Sequence, residues 1–493
     1  MSGFTFCTLG SLINFKFTSN SGFPETRGFA VKLANRHNAE DNRNGVKPVS
    51  SIELPPSQKP DLIGGHFRSF RKDPTGFLER QAALGDVSYF RLGPQPAYLI
   101  NDPEMIHDLF VKSHSKFIKG RALQRAKALL GEGLLTSEGA FHLRQRRMIQ
   151  PAFHRDRIAE YSAVMVDEAA RTIVSWKVGE VRDIDKEMMQ LTLRIVGRTL
   201  FSADVTDEAD EIGKAMTTVT QLFNFLLLPF SELLEKLPIP HSRRFHRARD
   251  TFNSVIFSMI DERRRSGEDN GDLLSMLLHA RDEDDSGIMT DQQIRDEALT
   301  LFLAGHETTA NALTWTWMLL SQNPEEAKKL YDELDAVLSG RTPSFDDLPR
   351  LVYAERVIAE SMRLYPPAWT VGRLAVEDHE FGGCKVAKGA LILASQWVMH
   401  RDKRYWTDAD AFRPERWEYR TVKQASQSFH YFPFGGGMRR CIGEGFAWAE
   451  AVLLLSTIAQ NWQPQLVPEQ KIGLNPMITL RPKYGMRMRL VAR

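Results

Sequence analysis

The chain is expected to fold as a mainly α-helical single domain with small β-sheets, and three features of its sequence lead there. From Asp102-Pro103-Glu104 to about residue 365, apolar residues recur at helical spacing almost without a break. Stretches that alternate and turn, as short strands do, lie outside that block, at 86–100, at 377–395 and from 472 onward. The composition, 42% hydrophobic, 26% charged and 10% aromatic, is that of a globular protein able to bury a large core. A length of 493 residues suggests about three domains on a length prior alone, yet no linker divides the chain. Residues 55–493 therefore read as one domain and 1–54 as a polar, disordered tail.

Order is expected to begin near "LPPSQKPDLIGG". "DVSYFRLGPQPAYLI" reads as a hairpin turning at Gly93-Pro94, and Asp102 then caps a helix that has Pro103 at its first position. The clearest element runs from Thr290 to Ser321: Thr290 with Gln293 makes a capping box, and "QNPEE" ends this helix and starts the next. At 1.5 Å per residue it is roughly 45 to 50 Å long, enough to cross a whole domain. "LVYAERVIAESMRLYPP" is a helix stopped by Pro366-Pro367, and "FRPERW" is a proline-punctuated loop. A helix follows Cys441, and the tail from "KIGLNPMITLRP" onward looks like a final hairpin.

Charge and cysteine count exclude several classes. With 64 basic against 62 acidic residues the net charge is +2, so nucleic acid is not an expected partner. Cys7, Cys384 and Cys441 are widely separated and form no C-x-x-C pair, which rules out a disulfide framework and a four-cysteine zinc site and fits a reducing, cytoplasmic setting. The N-terminus has no apolar run of 18 residues, so no transmembrane anchor is expected. It also lacks the charged start of a secretory signal.

The chemistry concentrates in "FPFGGGMRRCIGEG", residues 432–445. A P-loop needs Lys and Ser/Thr after its last glycine, whereas Gly437 is followed by Met438-Arg439-Arg440-Cys441. A dinucleotide fingerprint fails because Gly443-x-Gly445 runs to Trp448 and follows a loop. A sulfur just before a helix, preceded by glycines that turn N–H groups inward, suits a thiolate. With no second cysteine nearby, that thiolate suits a metal gripped from one side, and a haem fits: one axial ligand, small residues such as Gly443 and Ala447 along the porphyrin face, and Arg439 for a propionate.

Phe434-x-x-Gly437-x-Arg439-x-Cys441-x-Gly443 resembles the ten-residue haem-binding signature of the cytochrome P-450 monooxygenases at all five fixed positions. The resemblance covers roughly residues 55–490. It implies haem b (iron protoporphyrin IX) bound by Cys441 between the long central helix and the helix after the cysteine loop. It further implies a buried network of Glu360, Arg363 and the "PERW" arginine Arg416 behind the loop. The spacing of Glu360 and Arg363 is not itself diagnostic, since it recurs at Glu168/Arg171 and Glu262/Arg265. "LAGHETTANA" begins like a zinc-protease H-E-x-x-H, but Ala310 stands where the second histidine belongs. In the family's terms Ala304 and Gly305 lie over the haem, Gly305 loosens the helix, Thr308 supplies the alcohol and Glu307 relays protons from solvent. His142, Arg146 and Arg373 are implied propionate partners, while Arg144, Arg147 and Lys119 read as a solvated basic face.

By the same resemblance the substrate pocket is lined by Ala122 to Leu130, by Leu301, Ala304 and Thr308, by Ala368 to Val371, and by Met477-Ile478. "QLFNFLLLPF", Gln221 to Phe230, is expected to be a mobile lid. These segments are mostly aliphatic or aromatic, so the expected substrate is a lipophilic small molecule: fatty acid, terpenoid, steroid-like or polyketide. Dioxygen is the co-substrate. With 52 residues after Cys441 no fused reductase is expected, and a separate ferredoxin- or flavodoxin-type donor with an acidic face would dock on basic side chains around the thiolate loop. The protein is expected to act as a monomer. Two rivals are peroxide-driven or rearranging chemistry, against which Glu307 and Thr308 speak, and a haem-thiolate sensor that never turns over.

Overall fold

The computed structural model describes residues 54–62, 64–202, 239–280, 287–419 and 421–493. Apart from Leu54, the expected tail over 1–54 lies outside them, as does the expected lid over Gln221–Phe230.

Alternation in the first strand pair produces the expected hairpin. β1 (Val87–Leu92) and β2 (Gln95–Ile100) run antiparallel, closing at Leu92 and Gln95 around Gly93, whose φ of +64° suits glycine. Distant strands complete a sheet on it: β3 (Phe117–Lys119) early in the chain, then, beyond β4 (Val181–Asp183), β5 (Val371–Ala375) and, after the small hairpin β6 (His379–Phe381) and β7 (Cys384–Val386), β8 (Leu391–Ala394). The order is β1-β2-β8-β5-β3, with β2 and β8 parallel. Its register sets Lys119 of β3 directly opposite Arg373 of β5.

The C-terminal region departs from a single hairpin. Past β9 (Trp462–Leu466), β10 (Leu474–Pro476) and β11 (Leu480–Pro482) form a two-stranded ladder, while β12 (Arg487–Ala492) lies between β4 and β9 in a separate sheet. The reason is one-sided burial: Met488 and Leu490 are fully buried and alternate with exposed Arg487 and Arg489, so β12 needs a core that a lone hairpin does not offer.

Six helices position the site: α1 (Gly139–Ile149), α2 (Arg155–Val174), α3 (Ile184–Phe201), α4 (Asp291–Gln322), α5 (Val352–Leu364) and α6 (Glu444–Ala459). α4 starts at the expected capping box, with Thr290 Oγ1 accepting from the Gln293 amide at 3.2 Å and Gln293 Oε1 accepting from the Thr290 amide at 2.8 Å. Asn323-Pro324 ends it. α4 packs against α3, α5 and α6, and α6 against α2. α6 is buried on all sides from Ala449 onward; most of these residues are apolar, with Glu450, Ser456 and Thr457 buried among them. Among the described residues no helix is long and apolar enough to cross a membrane.

Candidate active site

The glycines of the cysteine loop answer to close approach. Gly435 and Gly437 sit at φ +71° and +64°; a Cβ on Gly437 would lie 1.9 Å from the Phe110 carbonyl oxygen, and one on Gly436 would lie 2.4 Å from the Phe429 ring. The loop closes when the Cys441 amide donates to the Phe434 carbonyl at 3.0 Å, and Gly443 caps α6. Phe434 packs beside Trp448 with ring centroids 6.0 Å apart. Cys441 is itself accessible rather than packed into the core. Burial pushes the thiol up to about 11, against the opposing pull of the Gly443 N–H, Arg146 and Arg440. The helix end and arginines thus do not produce a thiolate by themselves; a bound metal would, because coordination deprotonates a thiol outright. Among the described residues no three His, Cys, Asp or Glu side chains cluster to hold an ion. A metal at Cys441 therefore needs its other ligands from a macrocycle or similar group.

Behind the loop, α5 and the "PERW" segment meet as the resemblance implies. Glu360 and Arg363 are both fully buried and pair in a fork, Arg363 Nε to Oε2 and Nη2 to Oε1, each at 2.9 Å. Arg416 Nε donates to Glu360 Oε1 at 2.8 Å and Trp417 Nε1 to Oε2 at 3.1 Å. The remaining N–H groups of Arg363 go to the carbonyls of His400, Ala409 and Ala411, so all its donors are used. His400 Nε2 in turn accepts from the Phe432 amide at 2.9 Å, which ties this network to the cysteine loop. His400 and Trp417 are members that sequence reasoning missed; neither carries a motif of its own.

A second group of charges is left unbalanced. Lys119 and Arg373, opposed across β3 and β5, meet Arg439 and His142, with Glu138 as the carboxylate paired among them and buried Glu297 acting on Lys119 from α4. Glu138 pairs with Arg439 and accepts from the Lys119 amide at 2.6 Å. Lys119 is buried, its Nζ donating to the carbonyls of Leu134 and Ser137, contrary to its expected place on a solvated face. Its apolar flank, Phe117-Ile118, was the missed signal. Burial and the nearby Arg439 and Arg373 charges bring Lys119 down to about 7; burial first, then Lys119, Arg439 and Arg146, brings His142 down to about 4. His142 Nε2 and Arg439 Nη1 are buried without hydrogen-bond partners. Like charges in register and orphaned donors call for anions. Two carboxylates fit that demand, so the residues present suit haem propionates. Arg146 does not join this group: one turn along α1, it donates to the Arg440 carbonyl at 2.7 Å and so faces the cysteine loop.

On the other side, α4 exposes one short stretch in the middle of a buried helix. Ala304 is exposed and Leu303, Gly305 and Thr308 are half-exposed, whereas His306 and Glu307 are buried. Thr308 Oγ1 donates to the Ala304 carbonyl at 2.8 Å. Gly305 is explained by packing: a Cβ there would come within 3.0 Å of Val196 on α3. Glu307 is held inside by Thr479, whose hydroxyl donates to it. Two of the segments expected to line the pocket are joined to each other. Trp369 Nε1 donates to the Met477 carbonyl at 3.0 Å, and the Leu480 amide to the Pro367 carbonyl at 2.9 Å, which binds the Ala368–Val371 segment to the Met477 turn. Leu301 is buried, and Ala368, Val371 and Met477 are half-buried. Ala447 is half-exposed near the start of α6, where the residues after it are buried.

Comparison with known proteins agrees with this architecture. Cyclooctatin synthase of Streptomyces melanosporofaciens is 40% identical over 85% of this chain and 91% of its own length. Cyclooctat-9-en-7-ol 5-monooxygenase of the same organism is 39% identical over 86% of this chain and 94% of its own. Pentalenene oxygenase of Streptomyces avermitilis is 37% identical over 87% and 96%. A single cysteine on a glycine-rich loop, with buried cations nearby that call for carboxylates, suits a haem-binding oxygenase, and the family model for cytochrome P-450 matches residues 55–486: the chain is a member of the cytochrome P-450 family, a haem b monooxygenase that acts on lipophilic small molecules.

Proposed function

We propose that this monooxygenase hydroxylates or epoxidises a cyclic terpenoid, with Cys441 as the axial haem ligand and Arg439, Arg373, His142 and Lys119 as the propionate partners. What supports the substrate class is the apolar character of Leu301, Ala304, Val371 and Met477, the pocket residues the resemblance implies, together with a Thr308 hydroxyl already turned to its own helix. Such a lining orients a hydrocarbon by shape and offers little to a carboxylate head group. The relatives named for pentalenene and cyclooctat-9-en-7-ol support the same class. When bound, the haem supplies dioxygen activation and transfer of one oxygen atom. The chain's own residues do the rest: Met477 and Val371 exclude water and orient the substrate, Gly443 and Ala447 admit the flat macrocycle, and Glu307 and Thr308 hold and move protons at the Thr308 hydroxyl.

Electrons are proposed to come from a separate ferredoxin- or flavodoxin-type protein in the cytoplasm, with this chain acting as a monomer. Exposed Arg147, half-buried Arg440 and the exposed apolar Leu143 and Met438 lie on α1 and the cysteine loop, which suits an acidic partner with an apolar centre. Spectral titration of the haem-loaded protein tests the substrate class. Cyclic sesquiterpenes and diterpenes should shift the Soret band to the blue at micromolar concentration, and long-chain fatty acids should not. Tighter binding of fatty acids than of any cyclic terpene overturns it.

A further inference from the structure

The turn between β10 and β11 reaches back to the centre of α4. Thr479 is buried there; its hydroxyl donates to Glu307 Oε1 at 2.5 Å and accepts from Asn311 Nδ2 at 3.1 Å. A threonine has one proton to give, and an amide nitrogen can only donate, so Asn311 fixes the direction in which Thr479 spends that proton. Asn311 is one helical turn beyond Glu307, so the carboxylate and the donor that orients its partner share a face of α4. The C-terminal strand carries a second contact of this kind. Arg481 of β11, two residues beyond Thr479, faces Asp185 of α3 at 3.8 Å. Asp185 Oδ1 is buried without a hydrogen-bond partner. The charged groups around Glu307 are thus His306 on its own helix, Asp185 on α3 and Arg481 on β11. Burial raises Asp185 to about 6, with Arg481 opposing, and burial lowers His306.

We propose that Thr479, itself set by Asn311, is a positioning residue that holds the Glu307 carboxylate in one orientation and so governs the proton delivery in which Glu307 and Thr308 take part. This rests on the roles proposed above for Glu307 and Thr308. With Oε1 engaged by Thr479, Oε2 is left to take up a proton and hand it on; Thr308 accepts it only as its own hydroxyl proton is given up, so the alcohol stays neutral and the carboxylate returns to its starting state. The same turn carries Met477, so pocket wall and proton delivery share one short piece of backbone.

The test compares Thr479→Val and Thr479→Ser in the full-length, haem-loaded protein. Two quantities are read: the share of reducing equivalents recovered as hydrogen peroxide instead of product across about pH 6 to 9, and the C–O stretching band of the ferrous carbon monoxide adduct. Losing a positioned proton donor should lower coupled product formation in Thr479→Val about tenfold or more, with a displaced pH profile and a shifted C–O band. Thr479→Ser should restore all three. Coupling, profile and band unchanged in Thr479→Val, or equal damage in both variants, overturn the proposal. If Thr479→Val does not retain haem, Asn311→Ala, which keeps the hydroxyl and removes its donor, must show the same displacement, and a wild-type result there overturns it. The same carbon monoxide samples separate this from the broader reading: an unvaried protein without the red-shifted Soret band of thiolate ligation refutes Cys441 as ligand, whatever Thr479 does.

Discussion

Two clusters of buried charge lie on either side of the cysteine loop, and they are finished differently. Around Glu360 every charge meets its opposite and Arg363 has no idle N–H. Around Lys119, Arg373 and Arg439 the cations face each other across paired strands, with Glu138 as their carboxylate and two donors without partners. The first cluster is complete in its charges as protein, leaving only Nδ1 of His400 without a partner, and serves the frame. The second is incomplete as protein and marks where a dianionic group belongs. A buried charge the fold leaves unbalanced is therefore a better pointer to ligand chemistry than one it satisfies.

The comparison breaks most visibly at Arg363. Arg363→Leu strands Glu360 without its fork, and the expected loss is about 3–5 kcal/mol in chemical denaturation, with little haem-loaded protein recovered. A loss under about 1 kcal/mol would remove the distinction between the clusters.

Lys119 sharpens it from the other side. The Lys119 ammonium sits at about 7 in the fold against an unperturbed 10.5, so the unfolded chain binds more protons between those values. Its penalty is therefore full below about pH 7 and is relieved as pH rises toward 10.5. Haem-free Lys119→Met should be more stable than the unvaried protein by about 2 kcal/mol at pH 6 and should lose that pH slope. In the haem-loaded protein the same variant should release haem to a scavenger several-fold faster. Lower stability of the haem-free variant at both ends of the range would show that Lys119 belongs to the frame.

The smallest effect is expected where the same sequence spacing carries no network. Glu168 and Arg171 repeat the Glu-x-x-Arg pattern, yet buried Glu168 pairs with Arg194 and Arg198, while Arg171 pairs with Asp167 at the surface. Arg171→Ala should cost no more than about 0.5 kcal/mol in thermal or chemical unfolding.

That contrast also measures what could be read in advance. Spacing told which residues share a helix face at Glu360, Glu168 and Glu262 alike; only the cysteine loop and the proline stop singled out Glu360. Gly305 was expected to loosen α4, and what nothing in its surroundings announced is that it also lets α3 approach through Val196. Lys119 looked like a surface lysine because its partners, the carbonyls of Leu134 and Ser137, lie in a loop with no pattern to announce it. Thr479 and Asn311 stand 168 positions apart, and nothing local in either stretch pairs them.

By itself the sequence determined the helices, their caps, the hairpin at Gly93 and the cysteine loop, because each depends on residues within a turn or two of one another: periodicity, a capping side chain, a glycine with positive φ. Only the tertiary structure decided which charges are neutralised, where β12 pairs, which oxygen Thr479 addresses and how far burial lifts the Cys441 thiol. Those outcomes depend on the distance and dielectric between groups brought together from remote parts of the chain, and such quantities exist only once the chain has closed on itself.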